Sequence, residues 1–220
     1  MRKSFFLLTT LFVGFFMFFC LQIPCFAQEQ VAVKDIFVAA QNGIKRFLKN
    51  LEPKTLSHFG FSNQAEVDAA VIDEGFQLNS FYFTKGHHSS QLQNLSSLSV
   101  PKECWNFIVM NQDQAVALIT IAKRNGQWVS VSIGCQGLAK QLHKILESWP
   151  RADGYRLKHI RISRFKSDCV EIIHKGKSLG LIPLSSARHA MGLDVEKFNA
   201  QVLFSPGEIS TCFQKIRESL

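Results

Sequence analysis

The sequence predicts an α+β fold in which antiparallel hairpins form a sheet, with an N-terminal, a central and a C-terminal helix. Three observations predict it. Apolar residues recur at three- and four-residue steps in separate segments, which indicates amphipathic helices. Two other segments alternate apolar and polar residues around tight turns, which indicates hairpins. The helical and β segments follow one another in blocks, an order typical of antiparallel sheets.

The N-terminus has the layout of a secretory signal. Arg2 and Lys3 precede an uncharged, largely apolar run that ends at Ala27. The apolar centre is at the short end of the length that spans a bilayer, and Ala27 supplies the small residue that a signal peptidase requires. We therefore predict that residues 1–27 are cleaved and that residues 28–220 act in the periplasm or extracellular space, without a stable membrane span.

The N-terminal half of the exported part predicts two helices and a strand. Apolar residues within 31–51 share one helical face. Asn63, with Glu66 three residues later, is a pair that caps the start of a short second helix. Gly75 ends this segment, and residues 76–83 follow as a predicted strand.

The central segment predicts a three-stranded meander and a helix. Asn125-Gly126 is the strongest hairpin signal in the chain, because both residues tolerate a positive φ. The strands are predicted over 105–110, 116–122 and 128–133. The helix that follows places its apolar residues on one face: Leu138, Leu142, Ile145, Leu146 and Trp149.

The two halves of the chain share a rough helix-then-hairpins plan, which the last third completes. Its predicted elements are strands over 155–165, 170–174 and 179–183, a short helix over 185–191 and a final helix from Pro206. Two readings of the domain organisation follow: one domain over 28–220, or two similar lobes over 28–150 and 151–220.

Four cysteines remain after processing, and export permits disulfides between them. In a three-stranded meander Cys104 and Cys135 lie at opposite ends, which excludes that pair. If all four are bonded, each half of the chain is crosslinked to the other. Cys212 lies on an apolar helix face, where an inert buried thiol is an equal alternative. The disulfide candidates are Cys104, Cys135, Cys169 and Cys212.

Cys135 is also the candidate for catalysis. It lies between a strand and the start of a helix, where exposed amides stabilise a thiolate. A cysteine at a helix start followed by His159 or His174 on later strands resembles the chain order of papain-like hydrolases, including cell-wall peptidases. This resemblance implies a cysteine-dependent hydrolase as the alternative function.

A basic strand is the candidate binding surface. Its apolar phase changes between Leu157 and Ile160, which we interpret as a bulge near Lys158. With that bulge, Arg156, Lys158 and Arg161 share one solvent face and form a groove for an anion or a protein partner. A plainly solvated face is the alternative.

Metal and cofactor sites are not predicted. His87 and His88 lie in a polar connection over 85–99, but no third and fourth ligand follow at suitable spacing. The glycines Gly134 and Gly137 lack the fingerprint of a phosphate-binding loop.

The charge of the chain narrows the choice of partner. Net charge is +8, and it is +6 without residues 1–27. This charge favours acidic partners or anionic surfaces, and an ordinary role in solubility is the alternative. No stacking-aromatic motif accompanies the charges, so nucleic acid is not predicted as a partner. In the absence of a convincing catalytic set, the sequence predicts an exported, non-catalytic protein that binds another protein or an anionic envelope component.

Overall fold

A seven-stranded mixed β-sheet in the order β4-β3-β2-β1-β5-β6-β7 is the centre of the fold. The structure is a computed structural model that describes residues 23–82 and 98–218, with side chains over 34–82 and 98–216. The sheet and its helices confirm the predicted α+β class. The strands are β1 (Val71–Phe81), β2 (Val100–Asn111), β3 (Gln114–Arg124), β4 (Gln127–Gly134), β5 (Tyr155–Ile162), β6 (Ser167–His174) and β7 (Lys177–Pro183).

Six helices lie within the described residues. The N-terminal, central and C-terminal helices are confirmed, although the first ends at Leu48 rather than Leu51. The helices are α1 (Ile23–Leu48), α2 (Pro53–Ser57), α3 (Gln64–Ala69), α4 (Gln136–Ser148), α5 (Ser185–Ala190) and α6 (Pro206–Glu218).

The helices cover both faces of the sheet. Leu142 of α4 packs with Leu118 of β3 and Val170 of β6. Gly43 of α1 lies against Ile119 instead, and neighbouring strand residues point to opposite faces. Phe213 of α6 packs with the β5 and β6 residues that alternate with the α4-facing ones: Ile160 and Cys169. The α1 segment from Ala39 and helix α6 therefore cover the face opposite α4.

Two meanders meet in the middle of the sheet. Strands β1 to β4 pair in antiparallel sequence order, and so do strands β5 to β7. The first strands of the two meanders, β1 and β5, pair in parallel over only four positions, from Leu78 with His159 to Phe81 with Ile162. Strands of both predicted lobes thus belong to one sheet.

Local sequence signals are confirmed where they involve turns and caps. Asn125 and Gly126 have φ angles of 50° and 81° and connect β3 to β4. The Asn63 side chain accepts a hydrogen bond from the Glu66 amide at 3.0 Å. The Glu66 carboxylate accepts from the Ser62 amide at 2.7 Å, so the reciprocal bond is made to the residue before Asn63.

The predicted start of the first strand is wrong. Strand β1 begins at Val71 and includes Gly75, which the sequence placed before it. Gly75 pairs with Phe107 of β2, and a Cβ atom at Gly75 would collide with the Phe107 ring. Glycine stands inside β1 because the neighbouring ring occupies its side-chain space.

The predicted bulge in the basic strand is also wrong. Strand β5 pairs with β6 in unbroken register from Tyr155 to Ile162. Regular alternation places Arg156 and Lys158 on one face and Arg161 on the other. The apolar phase changes because both faces are covered: Leu157 packs on the α4 side, whereas Ile160 packs on the α6 side.

Two sequence predictions concern residues outside the described part. Residues 1–22 of the predicted signal and almost all of the polar connection over 85–99, with His87 and His88, lie there. Helix α1 begins at Ile23, before the predicted cleavage point after Ala27. Within residues 23–82 and 98–218, no helix is both long and apolar enough to cross a membrane.

Candidate functional site

A pocket of about 380 Å³ opens where the two meanders separate. The parallel pairing of β1 with β5 begins at Leu78 and His159. Before these positions the two strands are not paired with each other, and residues 75–77 and 156–158 line the space between them. The pocket is therefore a consequence of a parallel junction that is shorter than the strands it joins.

Positive charge dominates the pocket. Arg151, Arg156 and Lys158 line it, and Arg156 has no hydrogen-bond or ion-pair partner among the described residues. Arg151 is engaged: its Nε lies 3.0 Å from Glu74 Oε2, and its Nη2 donates to the Gly75 carbonyl at 3.1 Å. This second bond connects the turn before β5 to the backbone of β1.

Lys158 is held beside a buried carboxylate. Glu171 lies directly across from it on β6 and is only 1% exposed. Burial lowers the pKa of Lys158, and the negative charge of Glu171 opposes that shift. Three cations at the pocket thus face two carboxylates, those of Glu74 and Glu171, and Arg156 is the charge left without a counterion among the described residues.

Polar and aromatic side chains from β1 and β2 complete the lining. The amide nitrogen of Gln77 donates to the Lys102 carbonyl at 3.1 Å. The amide nitrogen of Asn79 donates to the carbonyls of Gln77 and His159, at 3.0 and 3.2 Å. Their side-chain oxygens accept no hydrogen bond within the described residues. Trp105 lies beside Gln77 in the sheet and stacks on Phe107, with ring centroids 6.2 Å apart.

The third predicted binding residue, Arg161, belongs to a different cluster on the α4 side. Its Nε and Nη2 donate to the two carboxylate oxygens of Asp168 at 3.1 and 3.0 Å. His159 Nε2 lies 3.1 Å from Asp168 Oδ1, and Ser186 Oγ accepts from the Asp168 amide at 2.9 Å. Arg161 therefore stabilises a buried carboxylate and does not join Arg156 and Lys158.

The ionised form of Asp168 depends on these partners. Burial raises the pKa of Asp168, but hydrogen bonds and charge from His159 and Arg161 outweigh it and lower the pKa below its ordinary value of 3.8. A carboxyl whose pKa is lower in the folded state contributes stability above its unfolded pKa, and this contribution is lost as the pH falls towards the folded value.

We therefore expect the free energy of unfolding to fall as the pH drops below about 5, partly through Asp168. The variant Asp168→Asn lacks this titration, so its free energy of unfolding should fall less steeply between pH 5 and about pH 3. Urea unfolding at a series of pH values measures both slopes. Equal slopes for the two proteins would show that Asp168 makes no such contribution.

The alternative catalytic pair is not assembled in the structure. Cys135 follows β4 at one edge of the sheet, whereas His159 and His174 lie on β5 and β6. Four strand spacings separate β4 from β5, about 19 Å. The His159 side chain contacts Asp168 and is 1% exposed, and the His174 ring lies tilted against the Tyr155 ring with centroids 4.7 Å apart. Neither histidine lies within hydrogen-bond reach of Cys135.

The predicted disulfides are absent as well: Cys104, Cys135, Cys169 and Cys212 are all free thiols. The sheet order explains why the four do not all pair. Once Cys104–Cys135 is excluded, bonding all four requires Cys169 on β6 to reach Cys104 on β2 or Cys135 after β4. These positions are three and five strand spacings apart, about 14 and 24 Å, beyond disulfide reach.

Comparisons with known proteins add no functional assignment. The chain matches no protein-family model, no curated protein and no solved structure. The part of the chain over 23–82 and 98–218 also has no group of three or more His, Cys, Asp or Glu residues that could hold a metal ion.

The sequence identified only part of this pocket. Arg156 and Lys158 were predicted as binding residues, whereas Gln77, Asn79 and Trp105 were not. The alternation Phe76-Gln77-Leu78-Asn79 carries the missing signal, because it places both amides on one strand face. Only the pairing of β1 with β5 brings that face beside the basic strand.

Proposed function

We propose that this protein is an exported, non-catalytic binding protein that holds an anionic component of the cell envelope in the pocket between β1 and β5. The observation that carries the proposal is Arg156, a cationic side chain that lines a pocket and has no counterion among the described residues. A guanidinium of this kind recognises carboxylate, phosphate or sulfate groups through paired hydrogen bonds.

Other features support the same function. A volume of about 380 Å³ lies in the range of small-ligand sites. The layout of Arg2, Lys3 and the apolar run to Ala27 favours export. The separation of Cys135 from His159 and His174 favours binding without covalent chemistry, because a thiol nucleophile needs a base within hydrogen-bond reach.

The proposal is tested with labelled polymers of known charge: polygalacturonate, poly-L-glutamate, dextran sulfate and neutral dextran. Fluorescence anisotropy at physiological salt should detect binding of at least one anionic polymer and none of neutral dextran. We expect Arg156→Glu to weaken that binding by about tenfold or more, because it replaces the unpaired cation of the pocket with an anion.

Arg164→Glu is the matched control, because Arg164 is exposed and lies outside the pocket. It makes the same change in net charge and should alter the affinity by less than about twofold if the pocket, not the overall charge, holds the ligand. Equal losses in both variants would contradict a pocket site. Failure of all three anionic polymers to bind would contradict the proposed function.

A further inference from the structure

The lining of the pocket offers more than positive charge, and its other groups specify the kind of anion. Arg156 provides donors that suit a carboxylate. The side-chain oxygens of Gln77 and Asn79 accept no hydrogen bond within the described residues, while both amide nitrogens are used. These oxygens are therefore acceptors that suit a ligand carrying hydroxyl donors.

The aromatic ring adds a third requirement. Trp105 lines the pocket, and its stacking on Phe107 fixes the plane of the indole. Gly75 makes this arrangement possible, since a side chain there would displace the Phe107 ring. A fixed indole beside polar groups favours a ligand with a flat, partly apolar surface.

The charge balance limits the ligand to about one negative charge. Glu74 neutralises Arg151 through a 3.0 Å contact, and Glu171 lies opposite Lys158. Arg156 is the remaining uncompensated charge of the described pocket. A carboxylate, with one charge, matches this balance better than a phosphate monoester, which carries close to two charges at neutral pH.

We infer that the pocket binds an acidic sugar residue, a ring that carries one carboxylate and several hydroxyl groups. The carboxylate binds Arg156, hydroxyl groups donate to Gln77 and Asn79, and the sugar ring lies against Trp105. This assignment rests on the proposed function and names the class of anion that the pocket selects.

Isothermal titration calorimetry with D-glucuronate, D-glucose and acetate tests the assignment. D-Glucuronate should bind at least about tenfold more tightly than either of the other two, because only it satisfies both the cation and the acceptor oxygens. Arg156→Gln should weaken D-glucuronate binding by about tenfold or more, since it removes the charge from the pocket.

The variant Gln77→Met distinguishes recognition of the sugar hydroxyl groups from recognition of the negative charge. It removes the acceptor oxygen of Gln77, together with the amide nitrogen that donates to the Lys102 carbonyl, while keeping a side chain of similar length. It should weaken D-glucuronate binding by about fivefold or more, and it should weaken the binding of an anionic polymer without hydroxyl groups, such as poly-L-glutamate, by a smaller factor. Circular dichroism of each variant checks that the sheet is retained.

The outcomes distinguish this inference from the proposed function. If D-glucuronate binds no better than acetate, the acidic-sugar assignment is overturned. Binding of poly-L-glutamate that still depends on Arg156 would in that case leave the proposed function standing. If neither D-glucuronate nor any of the three anionic polymers binds, the acidic-sugar assignment and the proposed function are both overturned.

Discussion

Asp168→Ala is expected to lower the free energy of unfolding by about 3 kcal/mol, the lower end of the range for breaking a buried ion pair. Asp168 is 3% exposed and accepts two hydrogen bonds from Arg161, while His159 lies 3.1 Å from its Oδ1. The variant leaves His159 buried without this partner. The expected loss of stability is at the lower end of that range because the Arg161 side chain is 45% exposed, so water can hydrate its charge when Asp168 is removed.

Urea unfolding followed by circular dichroism at neutral pH measures this loss. Asp68→Ala is the control, because Asp68 is an exposed aspartate in α3 and the change should stay within about 0.5 kcal/mol. A loss at Asp168 no greater than that of the control would show that the buried cluster does not stabilise the fold.

Gly43→Val has a comparable expected effect, a loss of about 3 kcal/mol, at the upper end of what overpacking costs. Gly43 lies where α1 packs closely against the sheet, and a Cβ atom there would stand 2.6 Å from the Cβ of Ser130. The terminal methyl of Ile119 occupies the remaining space. A strand atom such as Ser130 Cβ cannot rotate away, so the helix itself has to move.

Gly137→Val is the matched control for this prediction. Gly137 also lies in a helix, α4, but no atom lies within 4 Å of the position that a Cβ would take. Its free energy of unfolding should change by less than about 0.5 kcal/mol. If denaturation midpoints show equal losses at both glycines, the close approach at Gly43 has no energetic role.

Local structure could be predicted from the sequence because its causes are local. The positive φ angles of Asn125 and Gly126 and the cap from Asn63 to Glu66 depend on residues next to each other in the chain. The apolar face of α4 followed from helical spacing alone. Gly75 is the exception: its place inside β1 depends on the Phe107 ring, which belongs to another strand.

The pocket could not be predicted, because it arises from a pairing between distant segments. Nothing in either strand specifies that Leu78 lies beside His159. The wrong prediction that Arg161 shares a face with Arg156 and Lys158 has a similar origin. Its strand is covered on both faces, so the position of Ile160 indicates a second helix layer rather than a bulge.

The short junction between the meanders also predicts an order of folding events. Each meander closes through neighbours in sequence, whereas Leu78 must meet His159 across about eighty residues. Contacts between nearby residues form sooner than contacts of this separation. Residues of both meanders line the pocket, so it exists only after the two meanders have joined. A ligand of the pocket therefore binds the folded sheet and not a partly folded chain. It stabilises the folded state, and this stabilisation increases with the ligand's affinity and concentration.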